Sequence, residues 1–223
     1  EPIMENIGIC LPEDNYLQKV RDITTKYGTV LIFDEVKTGL TSGVGTTKER
    51  YGVQPDLICL AKAIGGGLPL GAYGGSKEIM DVITRGEVLH MGTYVGNPLV
   101  MAASKAVLTQ ICTTEEVEKA TALNISMLTK IKEVIAEYDL PAHTIQRGAK
   151  GCITWSEEPV KNYREYKSTN FELAYAQWII GINRGILLPP GLDEQWLVSV
   201  QHTEEDCQTH VDMLEAFAVE LTS

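Results

Sequence analysis

Cysteine is scarce and scattered in this chain. Cys10, Cys59, Cys112, Cys152 and Cys207 stand no closer than 40 positions apart, with no CxxC pair and no neighbouring histidine cluster. That spacing argues against a disulfide framework and against a structural zinc site, and no metal is expected. Long apolar runs are also missing. Val30 to Phe33 is typical of the longest, far short of a bilayer span, so no membrane crossing is expected. Basic residues run out early: none follows Arg184, and 19 Lys+Arg against 30 Asp+Glu leave a net charge of −11. A chain so acidic is a poor partner for a phosphate backbone, which excludes nucleic acid as the expected ligand. HExxH, GxSxG and GxxxxGK[ST] are all absent, and the four histidines never fall at helical ligand spacing. Together these absences describe a reduced, cytoplasmic protein. The chain opens at Glu1-Pro2 without an initiator Met or a signal-peptide pattern, as a segment cut from something longer would.

What is present reads as α/β. Tyr16, Val20, Ile23 and Tyr27 share one helical face, and Gly28 stops that helix. Thr29 to Phe33 is a β-branched apolar run ending in Asp34-Glu35, the pattern of a strand buried on both faces. Leu57 to Leu60 repeats it after Pro55-Asp56. The intervening stretch of about 20 residues suits a crossover between parallel neighbours. Glycine-rich turns follow (Gly65 to Gly67, Gly71, Gly74-Gly75), then a helix capped by Ser76, a strand near Val88 to Met91 and a loop, Gly92 to Gly96. Asn97-Pro98 opens another helix as cap and first turn. A long amphipathic helix starts at Thr114. Asn124-Ile125-Ser126 matches a glycosylation pattern but falls inside that helix, where it reads as chance. Beyond it, short strands near 142–146, 151–155 and 196–200 flank a helix over 170–183, and a last helix begins at Thr203 with three acidic residues in its first turn. This change of grammar divides the chain into 1–112, part of a larger α/β domain, and 113–223, a smaller α+β domain.

Two residues suggest chemistry. Asp34 ends the first strand, and its charge needs a cationic or hydrogen-bonding partner; alone, it could simply cap a loop. Lys62 follows the second strand in Cys59-Leu60-Ala61-Lys62, ahead of Ile64-Gly65-Gly66-Gly67. Carboxyl ends of parallel strands share one edge, where ligands bind, so Asp34 and Lys62 should face one crevice. Apolar neighbours point to a desolvated lysine rather than a surface charge. A nucleophilic lysine and a carboxylate that keeps a pyridine nitrogen protonated are the minimum tools for pyridoxal phosphate chemistry.

The motifs carry a resemblance. Leu31-Ile32-Phe33-Asp34-Glu35-Val36-Lys37-Thr38-Gly39 resembles the strand-end motif of class III aminotransferases. Pro55-Asp56-Leu57, Ala61 to Ala72 and Gly74-Gly75 resemble that family's lysine segment. Gly92-Thr93 with Gly96-Asn97-Pro98-Leu99 resembles its phosphate loop, and Gln201 to Asp206 resembles the glutamate-1-semialdehyde 2,1-aminomutase branch. The resemblance runs over essentially the whole chain, most strongly over residues 1 to 112. It implies a fold type I transferase: part of the large, mainly parallel-sheet domain followed by the small C-terminal domain. It implies pyridoxal 5'-phosphate as cofactor, bonded to Lys62 as a Schiff base, with Asp34 on the ring nitrogen. Val36 would pack on the ring, Asn6 would bond its phenolic oxygen, and Gly92 and Thr93 would reach the phosphate of the neighbouring subunit. It implies a homodimer with a shared site, a small-molecule amino donor and a carbonyl acceptor. Family members are about twice this length, so an N-terminal half is expected in the same or another chain.

For substrate recognition the resemblance implies Glu194, while the alternative anchors are Arg147 and Lys150, which an exposed turn explains equally well. Leu40-Thr41 departs from the Phe-Arg common after the family's Asp-Glu-Val, leaving that pocket wall unassigned. Three readings stay open: an intermolecular aminotransferase, an intramolecular aminomutase, and a silent fragment that keeps the fold. A further reading, an unrelated α/β phosphate-binding protein using the glycine turns, is disfavoured because the sequence has no P-loop or GxGxxG arrangement.

Overall fold

The computed structural model describes residues 1–189 and 195–223, which form two compact units. The first contains 1–2 and 12–114, the second 3–11 and 115–223. These units are drawn differently from the split expected at 112/113, because Ile3–Leu11 packs with the second. The physical cause is a buried ion pair and a glutamine clasp. Lys150 Nζ pairs with Glu5, and Gln195 Nε2 donates to the carbonyls of Glu5 and Gly8.

The first unit is built on a three-stranded sheet ordered β1-β2-β3. β1 (Ile32–Asp34) and β2 (Leu57–Ala61) are parallel, with Asp34 opposite Cys59. Helix α1 (Tyr16–Lys26) precedes β1, and the short helix α2 (Thr47–Tyr51) lies in the crossover. Arg21 Nη1 meets Asp56 Oδ2 at 2.9 Å, and the same oxygen accepts the Leu31 N–H at 2.7 Å, joining α1 to the entry of both strands. That N–H first, then the Arg21 guanidinium, holds the Asp56 carboxyl below the usual carboxylate range.

Three expectations fail in this unit. β1 is not buried on both faces: Phe33 is buried with Leu17, Leu31 and Val53, while Ile32 is 52% exposed. The buried set on α1 is also different, since Leu17 turns inward while Tyr16, Ile23 and Tyr27 are 57%, 56% and 69% exposed. A period of 3.6 fixes a stripe, but not which of two adjacent stripes finds a partner. Finally, Val88 to Met91 forms no strand, whereas Gly71–Gly75, expected as turns, is β3, antiparallel to β2. Backbone pairing decides strand identity here, because an apolar run with no edge to pair remains irregular.

Helix α3 (Lys77–Thr84) starts at the expected Ser76 cap. Helix α4 (Pro98–Ala106) starts at Asn97, whose Oδ1 accepts the Leu99 and Val100 N–H groups at 3.0 and 3.3 Å. A π-helical turn, Val107–Ile111, follows it.

The second unit carries most of the apolar core. Helix α5 (Thr114–Glu137) lays Ala120, Met127, Leu128, Ile131 and Val134 into it. The antiparallel sheet runs β4-β5-β6, from β4 (His143–Arg147), β5 (Lys150–Thr154) and β6 (Gln195–Leu197). A short helix α6 (Tyr163–Tyr166), then α7 (Phe171–Asn183) and α8 (Glu204–Thr222), complete the unit. Asn124 is fully buried. Its Nδ2 donates to Gly148 O at 2.9 Å and Lys150 O at 3.0 Å, and its Oδ1 accepts the Trp196 indole N–H at 2.7 Å. The glycosylation-like triplet is thus spent on core hydrogen bonds.

Candidate functional site

The parallel pairing of β1 and β2 sends both chains out at the same sheet edge. Asp34 is the last residue of β1, opposite Cys59, and Lys62 comes three positions beyond Cys59. Asp34 is exposed, and its Oδ1 accepts the Val36 N–H at 3.0 Å, which turns the carboxylate back over the strand end. Val36 is half-buried.

Lys62 opens a 3-10 turn, Lys62–Gly65, with φ 52, in the left-handed region that a side chain enters only at a cost. It is exposed, and its side chain makes no hydrogen bond or ion pair among the described residues. The expectation of a desolvated lysine is therefore corrected. The apolar residues beside it in sequence turn elsewhere, Ile64 into the core, because the left-handed turn separates neighbouring side chains. Gly66 closes the turn at φ 59, where a Cβ would come within 2.4 Å of Val107 Cγ2. Only glycine allows the turn to lie this close to the end of α4.

Gly92 and Thr93 lie in the exposed turn that precedes the Asn97 cap, in the same unit as Asp34 and Lys62. Two residues upstream, His90 Nδ1 and the Tyr73 hydroxyl are 2.6 Å apart, with their rings edge to face at 5.3 Å. This contact ties the turn to β3. Asn6 and Arg147 belong to the second unit, Asn6 exposed and Arg147 half-buried at the end of β4. Lys150, the alternative anchor, is buried against Glu5 and is not available to a substrate. Glu194 lies outside the described residues.

One feature of this edge escaped sequence reasoning. Glu35, beside Asp34, is fully buried and pairs with Arg50 Nη2 at 2.6 Å. Alternation along a strand signals that Glu35 faces away from Asp34. Nothing local signals a partner 15 residues ahead.

Comparison with known proteins agrees with this geometry. The family described as aminotransferase class-III matches residues 1–180. A glutamate-1-semialdehyde 2,1-aminomutase 2 of Brevibacillus brevis is 37% identical over 214 residues, 95% of this chain and 50% of that protein. Its counterpart in Exiguobacterium sibiricum is 38% identical over 100% of this chain and 50% of its own length. Among solved structures, an omega-transaminase of Sphaerobacter thermophilus has a TM-score of 0.91 at 30% identity, covering 100% of this chain and 51% of that one. A glutamate-1-semialdehyde aminomutase of Pseudomonas aeruginosa, solved in complex with PMP, has a TM-score of 0.90 at 25% identity, with 99% and 51% covered. The α/β fold is shared with these enzymes throughout the chain, which spans about half the length of the curated relatives it matches.

Proposed function

The chain belongs to the class-III aminotransferase family, and from that premise we propose that it supplies the lysine-bearing half of a pyridoxal 5'-phosphate site that moves an amino group between an amino compound and a keto or aldehyde acceptor. One observation carries the reading. An exposed lysine without a partner among the described residues and an exposed carboxylate leave two parallel neighbouring strands at the same edge. Such an amine and carboxylate fit the cofactor's two reactive ends. When bound, pyridoxal phosphate supplies an aldehyde for the lysine amine and a protonated ring that withdraws electrons from the carbon bearing the amino group.

The protein's own groups then have distinct tasks. Lys62 Nζ would hold the cofactor and, as a free amine, would move a proton to and from the carbon that bears the amino group. Asp34 would keep the ring nitrogen protonated by its negative charge. By the family resemblance, Val36 would pack on the ring, Asn6 would bond its phenolic oxygen, and the Gly92 backbone with Thr93 would reach the phosphate of the neighbouring subunit's cofactor. Arg147 and Glu194 remain the candidates for substrate recognition. Water would supply the oxygen with which the donor leaves as a ketone or aldehyde, and a second carbonyl compound would take up the nitrogen and release that water again.

Relatives of twice this length support a partner segment equivalent to their other half, and we assign a homodimer with a shared site as the working assembly. No helix among the described residues is long and apolar enough to cross a membrane, and the described cysteines form no disulfide. We place the enzyme in the cytoplasm on the spacing of its cysteines, which suits a reducing compartment.

The test is addition of pyridoxal phosphate to the chain. The expected result is a visible absorbance that borohydride bleaches while fixing the pyridoxyl group on Lys62, and that Lys62→Ala abolishes. A chain that stays colourless refutes cofactor binding and leaves a silent fragment. The relatives named aminomutases favour a second reading, transfer within one molecule. Turnover without any added keto acid acceptor identifies it.

A further inference from the structure

The proposed chemistry leaves unused a buried charged cluster of the first unit. The Glu35 side chain is 0% exposed and that of Arg50 4%, in a unit whose other described ion pairs are more open. Glu35 Oε2 accepts Arg50 Nη2 at 2.6 Å, and Oε1 accepts the Thr47 N–H at 2.8 Å. Arg50 Nη1 also donates to Gly45 O at 2.8 Å. The backbone is held from both sides as well, because Glu35 N–H donates to Cys59 O and Gly39 N–H donates to Glu35 O, each at 2.9 Å. Gly39 fits only without a Cβ, which would stand 2.8 Å from Glu35 O and 2.6 Å from Leu60 Cδ2. Helix α2 is fastened separately, Glu49 Oε2 accepting the Thr46 N–H at 2.8 Å and hydroxyl at 2.7 Å. The residue directly after Asp34 is therefore tied to β2, to the loop and to α2. The Asp34 carboxylate hangs from the next N–H along, that of Val36.

We propose that the Glu35–Arg50 pair is a positioning device, fixing the peptide after Asp34 so that its carboxylate keeps one orientation toward the ring nitrogen of the cofactor. The inference rests on the functional reading above. A buried pair of this kind contributes little net stability compared with a well-packed neutral replacement, whereas losing one partner alone is costly. Stability and positioning can therefore be separated. The bland competitor, a pair that only holds α2 in place, makes a different prediction at Val36 and at the cofactor.

The experiment uses the full chain and three variants: Arg50→Ala, Arg50→Lys, and the double variant Glu35→Gln with Arg50→Met. The amide oxygen introduced by Glu35→Gln can still accept the Thr47 N–H, so the double variant guards against simple unfolding. Amide exchange over 35–45 is read without cofactor, and pyridoxal phosphate binding by visible absorbance, with the pH midpoint of its absorbance. The expected result is a double variant that melts near the parent. Its amides over 35–45 should exchange about tenfold faster, its cofactor affinity should fall about tenfold and its pH midpoint should move. Borohydride should still mark Lys62, and Arg50→Lys should recover most of the loss. A folded double variant with parental exchange, affinity and pH midpoint overturns the proposal. If the parent takes up no cofactor the functional reading fails, while unchanged exchange at Val36 separately sinks the positioning role.

Discussion

Lys62 occupies the left-handed region although it is not glycine, a costly conformation at the residue proposed to hold the cofactor. Replacing it with glycine should relieve the backbone cost, while alanine should keep it. We expect Lys62→Gly to be more stable than Lys62→Ala by about 1 kcal/mol in urea titration; equal stabilities would show that the turn is unstrained. A second residue sets an acid limit. His210 is buried beside Trp196, its Nε2 has no hydrogen-bond partner among the described residues, and desolvation pushes its pKa down to about 4. Between the ordinary histidine range and that value, the unfolded chain binds a proton that the folded chain refuses. Stability should therefore fall by about 3 kcal/mol as pH drops from about 6.5 to 4. In His210→Gln that slope should be missing from the pH dependence of unfolding, whatever the variant's absolute stability.

At the scale of elements, caps explain where helices begin. The Thr203 hydroxyl accepts the Asp206 N–H at 3.2 Å, and Asp206 returns the bond by accepting the Thr203 N–H at 2.8 Å. That backbone N–H, then the Thr203 hydroxyl, holds the Asp206 carboxyl below its ordinary range. The contribution is complete above the ordinary aspartate range and is lost as pH falls through the lower folded value. Thr203→Ala should cost about 1 kcal/mol of thermal or denaturant stability at neutral pH, with a smaller difference in strong acid. The segment 3–11 depends instead on distant groups. Glu5→Ala leaves Lys150 without its buried carboxylate and should destabilise the second unit by about 3 kcal/mol or more. Amide exchange in β5 measures this, and unchanged protection there would refute the account. The start of α8 was legible because a capping signal lies within four residues. The docking of 3–11 was not, because its partners lie about 140 to 190 positions away.

At the scale of the whole molecule, the first unit leaves a large amount of apolar surface in water. Tyr16, Ile23, Tyr27 and Ile32 are exposed near one strand, and Leu89, Met91, Tyr94 and Leu99 around the turn that carries Thr93. Apolar exposure on this scale marks surfaces that contact other protein, in keeping with a chain half as long as its relatives. By itself the chain should bind an apolar fluorescent dye strongly. Supplying a polypeptide equivalent to the relatives' other half should suppress the dye signal and strengthen pyridoxal phosphate binding together. Suppression without a gain in cofactor binding would mean that the covered surface is not the one that completes the site.

Short-range chemistry is what the amino-acid sequence determined by itself. Caps at Ser76, Asn97 and Thr203, the parallel β1–β2 crossover, and the arrival of Asp34 and Lys62 at one sheet edge all follow from signals within an element or between adjacent ones. Tertiary structure decided whatever depended on a remote partner. It made a strand of Gly71–Gly75 by pairing it with β2, chose Leu17 over Tyr16 as the buried side of α1, joined 3–11 to the second unit and set Arg50 against Glu35. The physical reason is common to all four. Propensity and periodicity constrain a segment's own backbone, but burial and pairing are properties of two segments at once, and only the folded chain brings the second to the first.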